Sequence, residues 1–214
     1  MFVLLPVVFG IFLTLSPEKD TVQRNANEIV PYVFTVNEHY RFGETVRILS
    51  DSSFCSGVVV SEVYILTAAH CAPKTFLGNM SDEAVEIKSA DQLFTTSGQY
   101  VIVDTRRDLA LIKGNFSVFN RIEIDFNYTI IDDMLVGCGF PAGSDFNCTQ
   151  MHIIGNYHFQ YLTSGGFYFP GMSGGGVISI TSRKVIGVNS AAGDNFLVVS
   201  PTLGADVQWK LKSK

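Results

Sequence analysis

The feature that most constrains the fold of this chain is a succession of short runs rich in β-branched and aromatic residues, separated by Gly, Ser, Asp and Asn. Runs of this length and composition are typical of β-strands joined by tight turns. The first set occupies residues 45–49, 57–60, 64–67, 100–104 and 109–113. The second set occupies residues 134–139, 151–159, 176–180, 185–188 and 196–199. The sequence therefore predicts an all-β chain with two halves of similar size.

The two sets of runs also predict the domain boundaries. We expect the first β half at residues 29–120, a connection at residues 121–133 and the second β half at residues 134–202. Only residues 203–214 space their apolar side chains as a helix does. A short helix is therefore predicted at the carboxyl end of the chain.

The amino-terminal segment predicts export from the cell. Residues 1–16 are apolar and residues 17–28 are a polar linker. A helix over the uncharged residues 1–15 would be about 22 Å long at about 1.5 Å per residue, shorter than the ~30 Å hydrocarbon core. We therefore predict a signal peptide and a secreted protein, although the basic residues usual before such a segment are absent. The alternative is an uncleaved leader that tethers the chain to a membrane.

Charge and cysteine content narrow the function classes. The formal net charge of −5 leaves no excess of Lys and Arg to neutralise phosphates, which argues against a nucleic-acid partner. No Cys or His spacing is typical of a metal site. An even set of cysteines in an exported chain predicts two disulfides, with three possible pairings. The four are Cys55, Cys71, Cys138 and Cys148.

Three motifs carry side chains suited to acyl transfer. ILTAAHC places His70 just past an apolar strand, DLALIK places Asp108 at the start of one, and PGMSGGG surrounds Ser173 with glycines. A serine needs a base to attack a carbonyl, and the amides of Gly171 and Ser173 would supply the donors that an oxyanion needs. Each motif alone also fits an ordinary role: a surface histidine, a turn aspartate or a phosphate-holding loop.

The three motifs occur in the order His, Asp, Ser, one of the orders in which this triad is built. With CSGVVVSEVYILTAAHC, DLALIK, GMSGGG and KVIGVNS in corresponding places, the chain resembles the trypsin-like (chymotrypsin-fold) serine peptidases. It is more similar to compact bacterial, viral and HtrA-like members than to digestive trypsins. The resemblance implies two packed six-stranded antiparallel β-barrels, with His70 and Asp108 from the first and Ser173 from the second.

The resemblance also implies an activity. A serine endopeptidase hydrolyses peptide bonds of protein or peptide substrates through an acyl-enzyme intermediate, without a cofactor or metal. Ser173 would be the nucleophile, His70 the general base and acid, and Asp108 the carboxylate that orients the imidazole. Ser190, in the segment VNS, matches the family position that hydrogen-bonds the triad aspartate. An ordinary strand-end serine is the alternative for that residue.

The cysteine pairing follows from the same resemblance. The family implies a disulfide between Cys55 and Cys71, which closes the loop that carries the histidine. A loop of that size adds about 3 kcal/mol in the chain-entropy model. Pairing of Cys138 with Cys148 is left by subtraction and is a hypothesis.

The chain departs from the family next to the nucleophile. Met172 stands where zymogen-type relatives carry an aspartate that pairs with a newly cleaved amino terminus, so we expect no such activation switch. The base of the substrate pocket is expected near Phe167 and Tyr168. Because no aspartate stands there to receive Lys or Arg, we expect an apolar or small side chain before the scissile bond.

Two other functions compete with this one. The first is a catalytically inactive trypsin-like protein that binds a partner or acts as a scaffold. The second is an acyl hydrolase, such as an esterase, on the same fold, since the triad serves acyl transfer in general. A metal hydrolase is disfavoured because His39, His152 and His158 have no ligand spacing with His70.

Overall fold

Strands make up most of the structure, a computed structural model that describes residues 42–50, 53–73, 84–128, 133–143, 145–193 and 196–202. The strands of the first half are β1 (Thr45–Ser50), β2 (Ser53–Val59), β3 (Tyr64–Thr67), β4 (Ala84–Ser89), β5 (Thr95–Asp104) and β6 (Leu109–Gly114). Those of the second half are β7 (Leu135–Gly139), β8 (Asn147–Tyr157), β9 (Gln160–Ser164), β10 (Gly176–Ser179), β11 (Val185–Ala192) and β12 (Leu197–Pro201). Short 3-10 turns occur at Ala69–Cys71 and Pro141–Gly143.

The strands close into two barrels of six, and every pair of neighbouring strands is antiparallel. The first barrel runs β1-β2-β3-β6-β5-β4, and the second runs in the same order, β7-β8-β9-β12-β11-β10. Closure removes the exposed edges that an open sheet would present. The predicted all-β, two-barrel fold is confirmed.

Some predicted segments lie outside the described residues. These are the leader at 1–16, the linker at 17–28 and the carboxyl-terminal helix at 203–214. Within the part of the chain that the structure describes, no helix is long and apolar enough to cross a membrane. The leader and its two possible fates stay predictions.

The strand pattern was incomplete at two places. Neither β4 nor β9 was predicted, and the run at residues 151–159 extended past the end of β8 into the turn that follows it. β4 nevertheless alternates, since Val85, Ile87 and Ser89 are buried while Glu86 and Lys88 are not. β9 shows no such alternation, because four of its five residues are partly buried. His158 has a φ of +53°, which permits the tight turn between β8 and β9.

The two barrels share one hydrophobic core. A continuous cluster of buried side chains fills the first barrel and includes residues of the second, among them Val136, Phe140, Ile178, Val185 and Val188. A smaller cluster around Leu135, Met151 and Val177 lies within the second barrel alone. Each fully buried Leu, Ile or Phe contributes about 1.5–3 kcal/mol. This packing fixes one barrel against the other, so side chains from both meet at defined positions.

Both disulfides are present. Cys55 in β2 is bonded to Cys71 in the 3-10 turn after β3, with Cα atoms 6.1 Å apart. Cys138 and Cys148 face each other across β7 and β8 and are also bonded. The pairing of Cys55 with Cys71 is the one that the family resemblance implied. The pairing of Cys138 with Cys148 agrees with the hypothesis made by subtraction.

Candidate active site

His70 lies in the 3-10 turn Ala69–Cys71, directly after β3. Its backbone is held from two sides, because Cys71 is bonded to Cys55 and the buried hydroxyl of Tyr100 donates to the carbonyl of Cys71 at 3.0 Å. The side chain of His70 itself is 46% exposed. A rigid turn therefore presents a solvent-accessible imidazole.

Asp108 lies in the turn between β5 and β6 and holds the imidazole. Its carboxylate accepts from the backbone amide of His70 at 3.0 Å and from ring Nδ1 at 2.9 Å. A carboxylate accepts and does not donate, so Nδ1 carries the proton and Nε2 is left as the basic nitrogen. This is the tautomer that a general base needs.

The electrostatics of Asp108 favour its charged form. Burial of the carboxylate acts to raise its pKa, but the hydrogen bonds from His70 and Ser190 and the charge of His70 outweigh burial. The pKa of Asp108 therefore lies below its ordinary value. The group stays an anion throughout the neutral range.

Ser190 in β11 joins Asp108 to the second barrel. Its hydroxyl donates to Asp108 Oδ2 at 2.5 Å, as predicted for the family position. Gln160 donates from Nε2 to the hydroxyls of Ser190 and Ser200, both at 3.2 Å. Because Ser190 receives the Gln160 proton, its own single proton is left for Asp108. No motif marked Gln160, since its role depends on strands that are distant in sequence.

Ser173 lies in the loop between β9 and β10. The loop needs glycine at two points, because Gly171 has a φ of +97° and Gly174 a φ of +80°. Asn189 in β11 supports the loop by accepting the amide proton of Gly174 at 2.8 Å and donating to the carbonyl of Met172 at 3.3 Å. The side chain of Met172 is fully buried. An apolar anchor therefore stands where zymogen-type relatives have a charged one.

Ser56 in β2 ties this loop to the first barrel. Its amide donates to the carbonyl of Ser173 at 2.8 Å, and its hydroxyl donates to the carbonyl of Gly171 at 2.7 Å. The same hydroxyl accepts from the amide of Phe140 at 3.0 Å. Ser56 was not predicted from the sequence, where its one signal is that of a small polar residue between Cys55 and the apolar run that follows.

The predicted oxyanion donors are unengaged. Among the described residues, neither the amide of Gly171 nor that of Ser173 donates a hydrogen bond to any protein acceptor. Both amides belong to the loop that Ser56 and Asn189 hold in place. They are therefore available to an oxygen atom placed beside Ser173.

The hydroxyl of Ser173 is hydrogen-bonded to the hydroxyl of Tyr168, which in turn donates to the carbonyl of Ser190 at 3.2 Å. Within the described residues, no hydrogen bond joins Ser173 to His70. Burial raises the pKa of Tyr168, the bond with Ser173 partly offsets this, and the charge of Asp108 raises it further. The structure thus links all three predicted triad residues through Ser190 and Tyr168, without a hydrogen bond between the serine and the histidine.

The predicted pocket residues differ in their surroundings. Tyr168 lies against Ser173, whereas the ring of Phe167 packs 5.6 Å from the ring of Phe169. The amide of Phe167 donates to the hydroxyl of Thr149 at 3.1 Å. Of the two predicted pocket residues, Tyr168 is therefore the one that contacts the nucleophile.

Two histidines of the described residues lie outside this site: His152 in β8 and His158 in the turn after it, both exposed. Across the described ranges, no three His, Cys, Asp or Glu residues are grouped so that they could hold a metal ion.

Comparison with known proteins gives one family and one fold. The model of the trypsin-like peptidase domain matches residues 55–188. The structure is similar to a serine endoprotease from Yersinia pestis, with a TM-score of 0.68 and 23% identity over 85% of this chain and 68% of the other. It is also similar to the inactive form of the Rv3671c protease, with a TM-score of 0.63 and 18% identity over 83% of this chain and 92% of the other. No curated protein matches the sequence. At these identities the structural likeness shows a shared fold.

Proposed function

Because this chain belongs to the trypsin-like peptidase family, we propose that it is a serine endopeptidase with Ser173 as nucleophile, His70 as general base and Asp108 as orienting carboxylate. The observation that carries the proposal is the bond between His70 Nδ1 and Asp108 at 2.9 Å, beside a glycine loop with a serine at its tip. This arrangement leaves a basic ring nitrogen on His70, and hydrogen bonds through Tyr168 and Ser190 connect the hydroxyl of Ser173 to the same aspartate.

The chemistry follows from these groups. Ser173 Oγ attacks the carbonyl carbon of a peptide bond while His70 Nε2 takes the hydroxyl proton. The imidazolium then gives that proton to the leaving amine, which forms the acyl-enzyme and releases the carboxyl-side fragment. Water attacks the ester by the same route, and Ser173 regains its proton. Asp108 stabilises the imidazolium at each step and stays ionised.

The oxyanion of each tetrahedral intermediate would be held by the amides of Gly171 and Ser173. Their availability supports this role, as does the rigidity that Ser56 gives to the loop. Donors fixed before the reaction need no reorganisation when charge develops, and each contributes about 2.7–4 kcal/mol in comparable enzymes.

The substrates we propose are proteins or peptides with an apolar or small side chain before the scissile bond. The aromatic surface of Phe167 and Tyr168 supports that preference. We also propose that the protein acts outside the cytosol, either secreted or tethered by its leader. Two disulfides in a chain of this size support an oxidising compartment.

The test is covalent labelling with a fluorophosphonate together with cleavage of a diverse peptide library. We expect the wild-type protein to be labelled at Ser173 and to cleave peptides, and the Ser173→Ala variant to lose the label and roughly 10⁴- to 10⁶-fold of turnover. Ser182→Ala, which changes an exposed serine of the same barrel, is the matched control and should behave as wild type. Equal cleavage by wild type and Ser173→Ala would contradict the proposal.

A second candidate is a trypsin-like protein that binds a partner without catalysis. The bond of Ser173 to Tyr168, rather than to His70, is the observation that favours it. A folded wild-type protein that neither takes the label nor cleaves any peptide would support this candidate. Cleavage of esters but not of peptides would instead indicate an esterase.

A further inference from the structure

The hydrogen bonds around Tyr168 have a direction. The carbonyl of Ser190 can only accept, so the bond at 3.2 Å uses the single proton of the Tyr168 hydroxyl. The bond between Tyr168 and Ser173 must therefore use the proton of Ser173. In this state the nucleophile donates to the phenol oxygen, and its proton is not offered to His70.

We propose that Tyr168 is a positioning residue whose hydrogen bond with the Ser173 hydroxyl, here called the latch, holds Ser173 in a resting state. Catalysis then requires the hydroxyl of Ser173 to exchange Tyr168 for His70 as its partner. The inference rests on the proposed function, because it concerns the nucleophile of that reaction. It assigns to Tyr168 a role besides lining the substrate pocket.

In this proposal the exchange is a rotation of the Ser173 side chain. The backbone of Ser173 is fixed by the amide of Ser56, which donates to its carbonyl at 2.8 Å, and its loop is held by Asn189. These contacts do not involve the Ser173 hydroxyl. Rotation about the Cα–Cβ bond therefore changes the partner of the hydroxyl while the amides of Gly171 and Ser173 stay in place.

The latch has a defined kinetic effect. If only the unlatched state binds substrate productively, the apparent affinity is reduced by the fraction of molecules in that state. A saturating substrate removes the effect, so KM changes and kcat does not. Because burial raises the pKa of Tyr168, the phenol keeps its proton through the neutral range.

The experiment replaces Tyr168 by Phe, which removes the hydroxyl and keeps the ring. We expect the second-order rate of fluorophosphonate labelling and kcat/KM each to rise roughly 2- to 10-fold, the effect of one net hydrogen bond, with kcat unchanged. Tyr161→Phe is the matched control, since Tyr161 is a partly buried tyrosine of the same barrel outside the site. It should label at the wild-type rate.

The outcomes separate this inference from the proposed function. Labelling of Tyr168→Phe at or below the wild-type rate would overturn the latch while leaving a labelled wild type as a peptidase. Labelling of neither protein would overturn both. Tyr168→Met, which also lacks the hydroxyl and adapts to irregular space, is the second variant and should show the same rise. Thermal unfolding of each variant confirms that the folded protein is compared.

Discussion

At the scale of single residues, Asp108 connects the two barrels at the site. It accepts from the backbone and ring of His70, which follows β3, and from Ser190 in β11. Its φ of +55° lies in the left-handed region, which aspartate tolerates better than most residues. The turn between β5 and β6 therefore aims one carboxylate at donors from both halves of the molecule.

The ionisation of Asp108 predicts a pH dependence of stability. Its folded-state pKa lies below the ordinary value of 3.8, so the charged group stabilises the fold above that value and this contribution is lost as the pH falls through the folded-state pKa. We expect the difference in unfolding free energy between wild type and Asp108→Asn to shrink steadily below about pH 4. Urea unfolding from pH 6 to pH 2.5 measures it.

The control for that series is Asp145→Asn, which changes an exposed carboxylate in a turn of the second barrel. Its difference from wild type should stay nearly constant over the same pH range. A constant difference for Asp108→Asn as well would show that the carboxylate is not stabilised by its donors.

At the scale of elements, the loop between β9 and β10 depends on the close approach of the first barrel. A Cβ atom at Gly174 would lie 2.0 Å from Thr67 Oγ1 and 2.4 Å from the carbonyl of Ser56. The hydroxyl of Thr67 donates to that same carbonyl at 2.7 Å. Space and backbone conformation together therefore exclude any side chain at this position.

We predict that Gly174→Ala destabilises the protein by about 2–4 kcal/mol, because a non-glycine residue at a φ of +80° is strained and the added methyl meets backbone. Urea unfolding provides the measurement. Gly155→Ala in β8 is the matched control, since a Cβ atom there meets nothing within 4 Å. A Gly174→Ala variant as stable as Gly155→Ala would show that the loop does not adopt this conformation.

At the scale of the whole molecule, the site exists only where the barrels are docked. The common hydrophobic cluster fixes the position of one barrel relative to the other. Two further sets of contacts join the barrels near the candidate site. One is the hydroxyl of Ser56. The other is the turn before Asp108, where the guanidinium of Arg106 lies 4.3 Å from the ring centre of Phe159 at the tip of the β8–β9 hairpin.

Removal of the Ser56 hydroxyl tests this docking. Ser56→Ala leaves the buried carbonyl of Gly171 and the amide of Phe140 without that partner, so we expect a loss of about 1–3 kcal/mol of stability. We also expect a lower kcat, because the loop that carries the proposed oxyanion donors loses a support. Ser97→Ala, on an exposed position of β5, is the control and should change neither quantity. Unchanged kcat and stability in Ser56→Ala would show that the hydrogen bonds of the Ser56 hydroxyl do not hold the loop against the first barrel.

Much of the fold and part of the site were predictable from the sequence. The short runs indicated ten of the twelve strands in the described residues, and the order of His70, Asp108 and Ser173 indicated the family. The contact between Ser190 and Asp108 followed from the same resemblance. Ser56 and Gln160 were not predicted as partners of the site, because each contacts residues of a different strand or barrel. The contact of the Tyr168 hydroxyl with Ser173 was not predicted either, because it depends on the conformation of the loop that carries both residues.

The sequence by itself determined where strands form and which side chains are available for chemistry, since strand formation and burial on one face depend on residues that are near each other in the chain. Only the tertiary structure decided which acceptor the proton of Ser173 meets. That choice depends on how Ser56 and Asn189 hold the loop that carries both Tyr168 and Ser173, and a hydrogen bond forms only when donor and acceptor come within a narrow range of distances. No local pattern contains those distances.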